Sequence, residues 1–418
     1  MEGLIERHLT EQVVGALDHF RVVVLHGGRQ CGKSTLARQV AQTRGGAYLT
    51  LDDPTVLQAA LADPITFLTQ PTPPVVVDEI QLAGDRLVRA AKQLVDTDGN
   101  PGRFLFTGST NFLTVPSISE SLAGRARILR LWPLSQAEVT GRRAATIGPW
   151  FDGDPGRAPT DHLDRNDYLE ALCRGGYPEA QALDPAYRDD WYRDYVETVT
   201  QRDIVALADV RKTSALPRLL RWAAATTSGE LNVATAARDL GVDRRTITTY
   251  LEWLEAVFLV HELPGWARSP LARAVRRPKL HVVDSGLAAS LLHVDPAALA
   301  APTAPATGRL VESFVVGEIA RLIGASNERI ELSHYRDRDD REVDLLLDRA
   351  DGGTVAVEVK ATASPSPDQL RHVAWLRDRL DRASPGTFRA GILLHAGPQS
   401  LTVGDRLHVR PISSLWAA

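Results

Sequence analysis

The chain has 418 residues, of which 44% are hydrophobic and 24% charged. That is more than one ordinary core can hold and the composition is that of a soluble globular protein, so two or three domains are expected. A formal net charge of −4 excludes a globally basic nucleic-acid binder and leaves only local patches for such contacts.

The chain starts MEGLIERHLTEQ, with acids where a secretion signal needs bases. No apolar run approaches the roughly 18 residues of a membrane span. Only Cys31 and Cys173 occur, so no disulfide framework is implied. These features predict a cytoplasmic protein with no membrane partner.

RVVVLHGGRQCGKSTLARQVAQ (21–42) reads as strand, glycine loop and helix. The run Gly27, Gly28, Arg29, Gln30, Cys31, Gly32, Lys33, Ser34, Thr35 completes the P-loop pattern G-x-x-x-x-G-K-[ST]. Glycines let backbone amides face phosphate oxygens, and the helix start adds a positive dipole end. Lys33 is placed to reach the β- and γ-phosphates of ATP, and the Ser34 hydroxyl to ligate Mg²⁺. Four further strand-like runs follow at 47–51, 74–78, 103–107 and 127–131. Their alternation with helical segments predicts a parallel sheet with helices on both faces. PPVVVDEIQ (73–81) ends its strand in Asp78 and Glu79. Asp78 is suited to hold Mg²⁺, and Glu79 to orient or deprotonate the attacking water. FLFTGSTN (104–111) brings Ser109, or Asn111, toward the γ-phosphate. Arg125, in LAGRARILRL, is a candidate to stabilise charge on that phosphate, in cis or from a neighbouring subunit.

The set GGRQCGKSTLARQ, YLTLDDP, VVVDEIQ, FLFTGST and SLAGRARILRLWPLS resembles a large prokaryotic family of AAA-type ATPases fused to a C-terminal domain of unknown function. GGYPEA, TQRDI, RRPKLHVVDSGL and GRLVESFVVGEI extend the resemblance nearly end to end. Cys31 departs from the small aliphatic residue expected there. The resemblance implies a helical lid over the nucleotide at 136–215 and makes Arg202 and Asp203 a recurring pair, an ion pair or a phosphate sensor.

LNVATAARDLGVDRRTITTYLEWLEAVFLVHEL (231–263) reads as helix-turn-helix followed by a strand. Gly241 permits the turn and Asp243 caps the next helix, with Ile247, Tyr250, Leu251 and Leu254 on its inner face. Arg244, Arg245 and Thr248 are the groove-facing candidates. Three arginines (Arg238, Arg244, Arg245) meet five acids (Asp239, Asp243, Glu252, Glu255, Glu262) over this stretch, which is poor for a phosphate-binding face. The next stretch, 266–281, offers Arg268, Arg273, Arg276, Arg277 and Lys279 without an acid. A DNA-contacting winged helix and a purely structural one both remain open.

After a Pro/Ala-rich linker (295–307), GRLVESFVVGEIARLIG predicts an amphipathic helix. EVDLLLDRADGGTVAVEVKAT (342–362) then predicts two strands joined at Asp351, Gly352 and Gly353. Alternation puts Glu342 and Asp344 on one face of the first, and Glu358 and Lys360 on one face of the second. Asp344, thirteen residues (345–357), then Glu358-Val359-Lys360 resembles the PD-(D/E)xK core of restriction-endonuclease-like folds. That resemblance implies Asp344 and Glu358 as Mg²⁺ ligands, Lys360 beside the scissile phosphate, and Glu312 completing the metal shell.

The expected architecture is α/β in four parts. They are a P-loop AAA-type ATPase core (1–135), a helical lid (136–215), a winged helix-turn-helix (216–280) and an endonuclease-like domain (281–418). The expected function is ATP hydrolysis coupled to Mg²⁺-dependent processing of nucleic acid, DNA rather than RNA, in a possible homo-oligomer. The alternative is a regulatory ATPase switch whose nuclease-like domain docks partners without cleaving.

Overall fold

The computed structural model describes residues 4–109, 122–143, 145–156, 163–205, 215–267, 272–273 and 275–416. Arg268 and Asn111 therefore lie outside the described residues. The chain divides into two compact units. One runs to Pro133 and takes in Ala256–Phe258; the other comprises Leu134–Glu255 and Leu259–Ala418. Among the described residues no helix is long and apolar enough to cross a membrane.

The first unit is built on β1 (Val22–His26), β2 (Ala47–Thr50), β3 (Val75–Asp78), β4 (Phe104–Gly108) and β5 (Ala126–Arg130). They form one sheet in the order β2-β3-β4-β1-β5, and every neighbouring pair is parallel. The short β-branched and aromatic runs are what a sheet covered on both faces requires. Val22, Val24, Val75, Val77, Phe104 and Phe106 share one core cluster with Leu87, Val88 and Ala91 of the helix Gly84–Thr97. Because the strands are parallel, their C-terminal ends share an edge. His26 pairs with Gly108 and Val77 with Phe106. The P-loop, Asp78, Glu79 and Ser109 therefore emerge together.

The second unit holds a three-stranded antiparallel sheet and a six-stranded mixed sheet. The small sheet has β6 (Gly229–Glu230), β7 (Val260–Leu263) and β8 (Lys279–Val282) in the order β6-β8-β7. The helices Val233–Leu240 and Arg244–Ala256 precede β7. Gly241 between them takes the left-handed φ of 67° that a tight turn needs. Asp243 accepts from the Thr246 amide at 2.9 Å, opening the second helix. Ile247, Tyr250, Leu251 and Leu254 are buried, whereas Arg244, Arg245 and Thr248 are exposed.

The large sheet comprises β9 (Ile330–Arg336), β10 (Glu342–Arg349), β11 (Thr354–Lys360), β12 (Phe388–His395), β13 (Leu401–Thr402) and β14 (Leu407–Pro411). Its order is β13-β14-β12-β11-β10-β9. β9, β10 and β11 run antiparallel, and β11, β12 and β14 parallel. The helix Arg371–Ala383 covers one face through Val373, Leu376 and Leu380, which pack with Leu346, Ala356 and Leu393. A register shift between Val343 and Leu346 lets both enter that core although they are three apart. Strict alternation therefore fails at the start of β10.

Two expectations change. The segment 295–307 is not a free linker: Asp295 caps the helix Pro296–Ala300, Leu299 is buried, and Arg165 donates to the carbonyls of Leu299 and Ala300. The helix Thr307–Gly324 is not amphipathic but buried nearly all round, Leu310, Val311, Phe314, Val315 and Ile319 among its buried residues. It packs on β11 and on the helices Ser285–Leu291 and Arg165–Arg174, which leaves it no solvent stripe. The segment read as a helical lid, 136–205, is part of the second unit. There the Gln136 amide donates to buried Glu318 at 2.9 Å, and the Gly176 amide to Asp284 at 2.7 Å. In its last turn, a single π turn over Val199–Asp203, Arg202 is exposed and Asp203 buried.

Candidate functional site

The first candidate site lies at the C-terminal edge of the parallel sheet. Gly27 leaves β1 so close to β5 that a Cβ on it would stand 2.1 Å from the Leu131 carbonyl oxygen. Only glycine fits. Gln30 at φ 61° and Gly32 at φ 92° curl the loop back to the helix Lys33–Arg44. Gly28 and Cys31 are buried, Arg29 half-buried. Lys33 turns back over the loop and donates to the Gly28 carbonyl at 2.8 Å. Burial lowers the Lys33 ammonium from its ordinary pKa, opposed by Cys31, Glu79 and Asp78. Ser34 and Thr35 follow in the first helical turn, half-buried and exposed.

Around this loop the acids are held in place. Asp78, buried at the end of β3, accepts from Tyr48 Oη at 2.6 Å and from Thr107 Oγ1. Burial and that bond to Asp78 push the Tyr48 phenol up to about 12. Glu79 stands at a left-handed φ of 55°, a strained value for a non-glycine residue. Its amide donates to Thr107 Oγ1 at 3.1 Å. Its carboxylate accepts from Ser109 Oγ at 3.0 Å and from Gln81 Nε2. Ser109 thus orients Glu79 and lies at the end of β4, between β1 and β3.

Two further residues bear on this site. Arg7, buried, donates to the carbonyls of Cys31 at 2.5 Å and Trp132 at 2.7 Å, clamping the loop to the chain after β5. Its place ahead of the first strand gives no local signal of this role. Arg125, expected near the γ-phosphate, is not there in its own subunit. It precedes β5, whose Ala126 pairs with Val22, while the loop follows His26 at the other end of β1. Four intervening residues of strand put it about 13 Å or more from that edge. Its guanidinium instead grips Asp96 through Nε at 2.6 Å and a terminal nitrogen at 3.0 Å.

The second candidate site lies in the second unit. Leu345 pairs with Val357 in the antiparallel register of β10 and β11, so Asp344 and Glu358 fall on the adjoining rung. Asp344 Oδ2 accepts from the Val359 amide at 2.8 Å. Lys360 Nζ lies 2.6 Å from Glu358 Oε1. The other Glu358 oxygen is buried without a hydrogen-bond partner. At the centre stands Lys279, from β8 and only 1% exposed, 2.6 Å from Glu312, 2.6 Å from Glu342 and 3.7 Å from Asp344.

Lys279 read in sequence as part of a basic wing; the structure buries it among acids instead. Its neighbours are also engaged. Arg273 pairs with Glu331 at 2.8 Å and Asp348 at 2.9 Å, and Arg276 donates to the Arg336 carbonyl at 2.6 Å. The Arg277 carbonyl lies 3.0 Å from His334 Nε2.

Carboxylates outnumber cations in this cluster. Glu312, Glu342, Asp344 and Glu358 meet Lys279, Lys360 and half-exposed Arg336, which is 3.8 Å from Glu342 but also pairs with Asp340 at 2.9 Å. Burial, then repulsion from Asp344, pushes both Glu312 and Glu358 up to about 8. Burial alone would lower Lys279, but Glu312, Asp344 and Glu342 outweigh it and keep the ammonium above its usual range. Glu342 sits below its usual range: Lys279 and then Arg336 outweigh its burial. Among the described residues no three acid, imidazole or thiol groups stand as a ready metal cage. The Lys279 ammonium lies between Glu312, Glu342 and Asp344.

A P-loop closing on a parallel sheet of order β2-β3-β4-β1-β5, with Asp78 and Glu79 ending a neighbouring strand, defines an AAA-type ATPase domain. Residues 19–140 match the model of the AAA domain. Residues 165–298 match a Domain of unknown function (DUF8612) and 307–415 another (DUF4143). The uncharacterized protein Rv2008c of Mycobacterium tuberculosis (strain ATCC 25618 / H37Rv) is 31% identical over 392 residues, covering 92% of this chain and 81% of that protein. The uncharacterized protein Mb2031c of Mycobacterium bovis matches to the same extent. The chain belongs to the family of these mycobacterial proteins. A solved structure of the Thermotoga maritima RuvB Holliday junction branch migration motor is 18% identical, covers 64% of this chain and 90% of that chain, and superposes at a TM-score of 0.30. That score is too low to carry an argument.

Proposed function

We propose that this protein hydrolyses ATP in its first unit and cleaves phosphodiester bonds of nucleic acid in its second, with a divalent cation at the Asp344–Glu358 pair. The observation that carries the second half is the buried Glu358 oxygen without a partner, in a cluster where acids exceed cations. An unmatched buried carboxylate oxygen is costly, and a cation there would relieve it. The chemistry of the set fits a hard cation, which takes carboxylate oxygens.

For the ATPase, Lys33 and the loop amides bind the phosphates, Ser34 and Asp78 supply oxygens for Mg²⁺, and Glu79 takes the proton of the attacking water. Ser109 and Gln81 fix the Glu79 carboxylate for that role. In the second unit, helix Thr307–Gly324, β9, β10, β11, helix Arg371–Ala383 and β12 follow one another in the αβββαβ order of a restriction-endonuclease-like core. A cation bound there supplies Lewis acidity to the scissile phosphate. Asp344 is oriented by the Val359 amide, and Lys360, one-third exposed and paired with Glu358, is the cation that would meet the phosphate.

The helices Leu216–Ala225, Val233–Leu240 and Arg244–Ala256 with β6, β7 and β8 read as a winged helix, Arg244, Arg245 and Thr248 forming its free face for DNA. Division into ATPase core, lid, winged helix and endonuclease-like domain, and assembly into a homo-oligomer, belong to the same proposal. A second reading is supported by the engagement of Arg273 and Arg276 within the unit: a regulatory ATPase whose C-terminal domain docks partners without cleaving. Labelled DNA and RNA incubated with Mn²⁺ and ATP decide between them. Cleavage lost in Lys360→Ala, with ATP hydrolysis retained, supports the nuclease. No cleavage of any substrate, with ATP still hydrolysed, supports the switch.

A further inference from the structure

Lys279 is not on the strands that carry the proposed nuclease residues. It enters from β8, hydrogen-bonded on one side to β6 and on the other to β7, with Glu230 and Leu263 as its register partners. The paired strand holds the Lys279 backbone, and burial to 1% exposure with a carboxylate on either side holds its side chain. Its ammonium is therefore a fixed charge, delivered 2.6 Å from both Glu312 and Glu342.

We infer that Lys279 occupies the place of a second metal ion, so that the site takes one divalent cation, at Asp344 and Glu358, and never the pair of a two-metal nuclease. This rests on the metal reading proposed above and deepens it. In a two-metal site the second ion shares a carboxylate with the first and takes acid ligands of its own besides. Lys279 Nζ lies 3.7 Å from Asp344 Oδ1, on the side away from the oxygen that accepts from Val359. It binds Glu312 and Glu342, the two acids that would otherwise complete the second ion's shell. The Glu358 oxygen left without a partner lies outside this ammonium's set of contacts. The cluster is thus divided: a built-in monovalent cation satisfies one half, and the other half is left for a metal. Glu312 then acts as a positioning residue for Lys279 and not as a metal ligand.

The test counts ions in full-length, nucleotide-free, metal-stripped protein titrated with Mn²⁺. Calorimetry gives the stoichiometry, and electron paramagnetic resonance reports whether two bound ions are spin-coupled. The wild type is expected to bind one ion, lost in Asp344→Asn. Glu312→Gln is expected to keep that ion, weakened by roughly 10–100-fold as an outer-shell change. Lys279→Met, which removes the fixed charge, is expected to bind two coupled ions. Two ions in the wild type would overturn the inference. So would loss of the ion in Glu312→Gln, or a single ion in folded Lys279→Met. If Lys279→Met fails to fold, the wild-type count and Glu312→Gln decide alone. A wild type that binds no ion would remove the metal reading itself, and this inference with it.

Discussion

Replacing Glu358 by glutamine is the sharpest perturbation of the C-terminal cluster, because it removes one charge and keeps the shape. Burial, then Asp344, pushes Glu358 up from 4.5 to about 8. Between those values the native state keeps a proton that the unfolded chain has lost. Stability of the metal-free protein therefore falls as pH rises from about 4.5 to about 8 and levels off above. Each pH unit in that window costs about 1.4 kcal/mol per proton, a few kcal/mol in all. Glu312 shares the window, so Glu358→Gln should lose part of the slope and keep the rest. Denaturant unfolding of the second unit in chelator, from pH 5 to pH 9, measures it. Adding Mn²⁺ at about a hundred times its dissociation constant should restore roughly 2.7 kcal/mol to the wild type. The gain should be larger at pH 8.5 than at pH 6.5, since metal and proton compete, and absent in the variant. Equal pH slopes in the two proteins, or an equal Mn²⁺ effect, would mean that Glu358 neither carries the extra proton nor binds the ion.

Lys33→Ala should abolish nucleotide binding in a fluorescent-nucleotide titration, whereas Glu79→Gln should bind normally and hydrolyse ATP about a hundredfold more slowly, the scale of losing a positioned base. Arg7→Ala should weaken nucleotide affinity with a smaller effect on turnover, because Arg7 holds the loop through the Cys31 and Trp132 carbonyls and lies behind the phosphates' cradle. Arg125→Ala should leave the turnover of a single subunit near that of the wild type, since its partner is Asp96; a large loss that appears only in the assembled state would give it a role across a subunit boundary. Arg273→Gln should lower the thermal stability of the second unit and leave the salt dependence of any DNA binding unchanged, because Glu331 and Asp348 already hold this guanidinium. A shallower salt slope, roughly 0.9 less per phosphate contact, would return it to a DNA-facing surface.

The parallel sheet was legible because its strands are short, β-branched and separated by helices, and each of the five runs forms a strand close to where the sequence places it. The hairpin of β10 and β11 was legible from the turn at 351–353, where Gly352 takes a φ of 85°. What escaped depends on distance along the chain. Arg125 immediately precedes β5, but parallel pairing sends the start of that strand to the edge opposite the P-loop. Lys279 closes a run of arginines and so looks like one more surface charge. Its burial follows from Glu312, Glu342 and Asp344, which lie 33 or more residues further on. The polar breaks in Thr307–Gly324 suggested a solvent face, yet Glu318 inside it is matched by the Gln136 amide and Arg321.

On the proposed function, the Asp344–Glu358 pair binds a divalent cation. Crystals of the protein grown with Mn²⁺ and examined for anomalous scattering test it most directly. One peak is expected in contact with the Asp344 and Glu358 carboxylates, with Lys279 still joined to Glu312 and Glu342. A peak beside the P-loop but none at Asp344 and Glu358 would contradict it and leave the C-terminal domain without a metal-dependent chemistry.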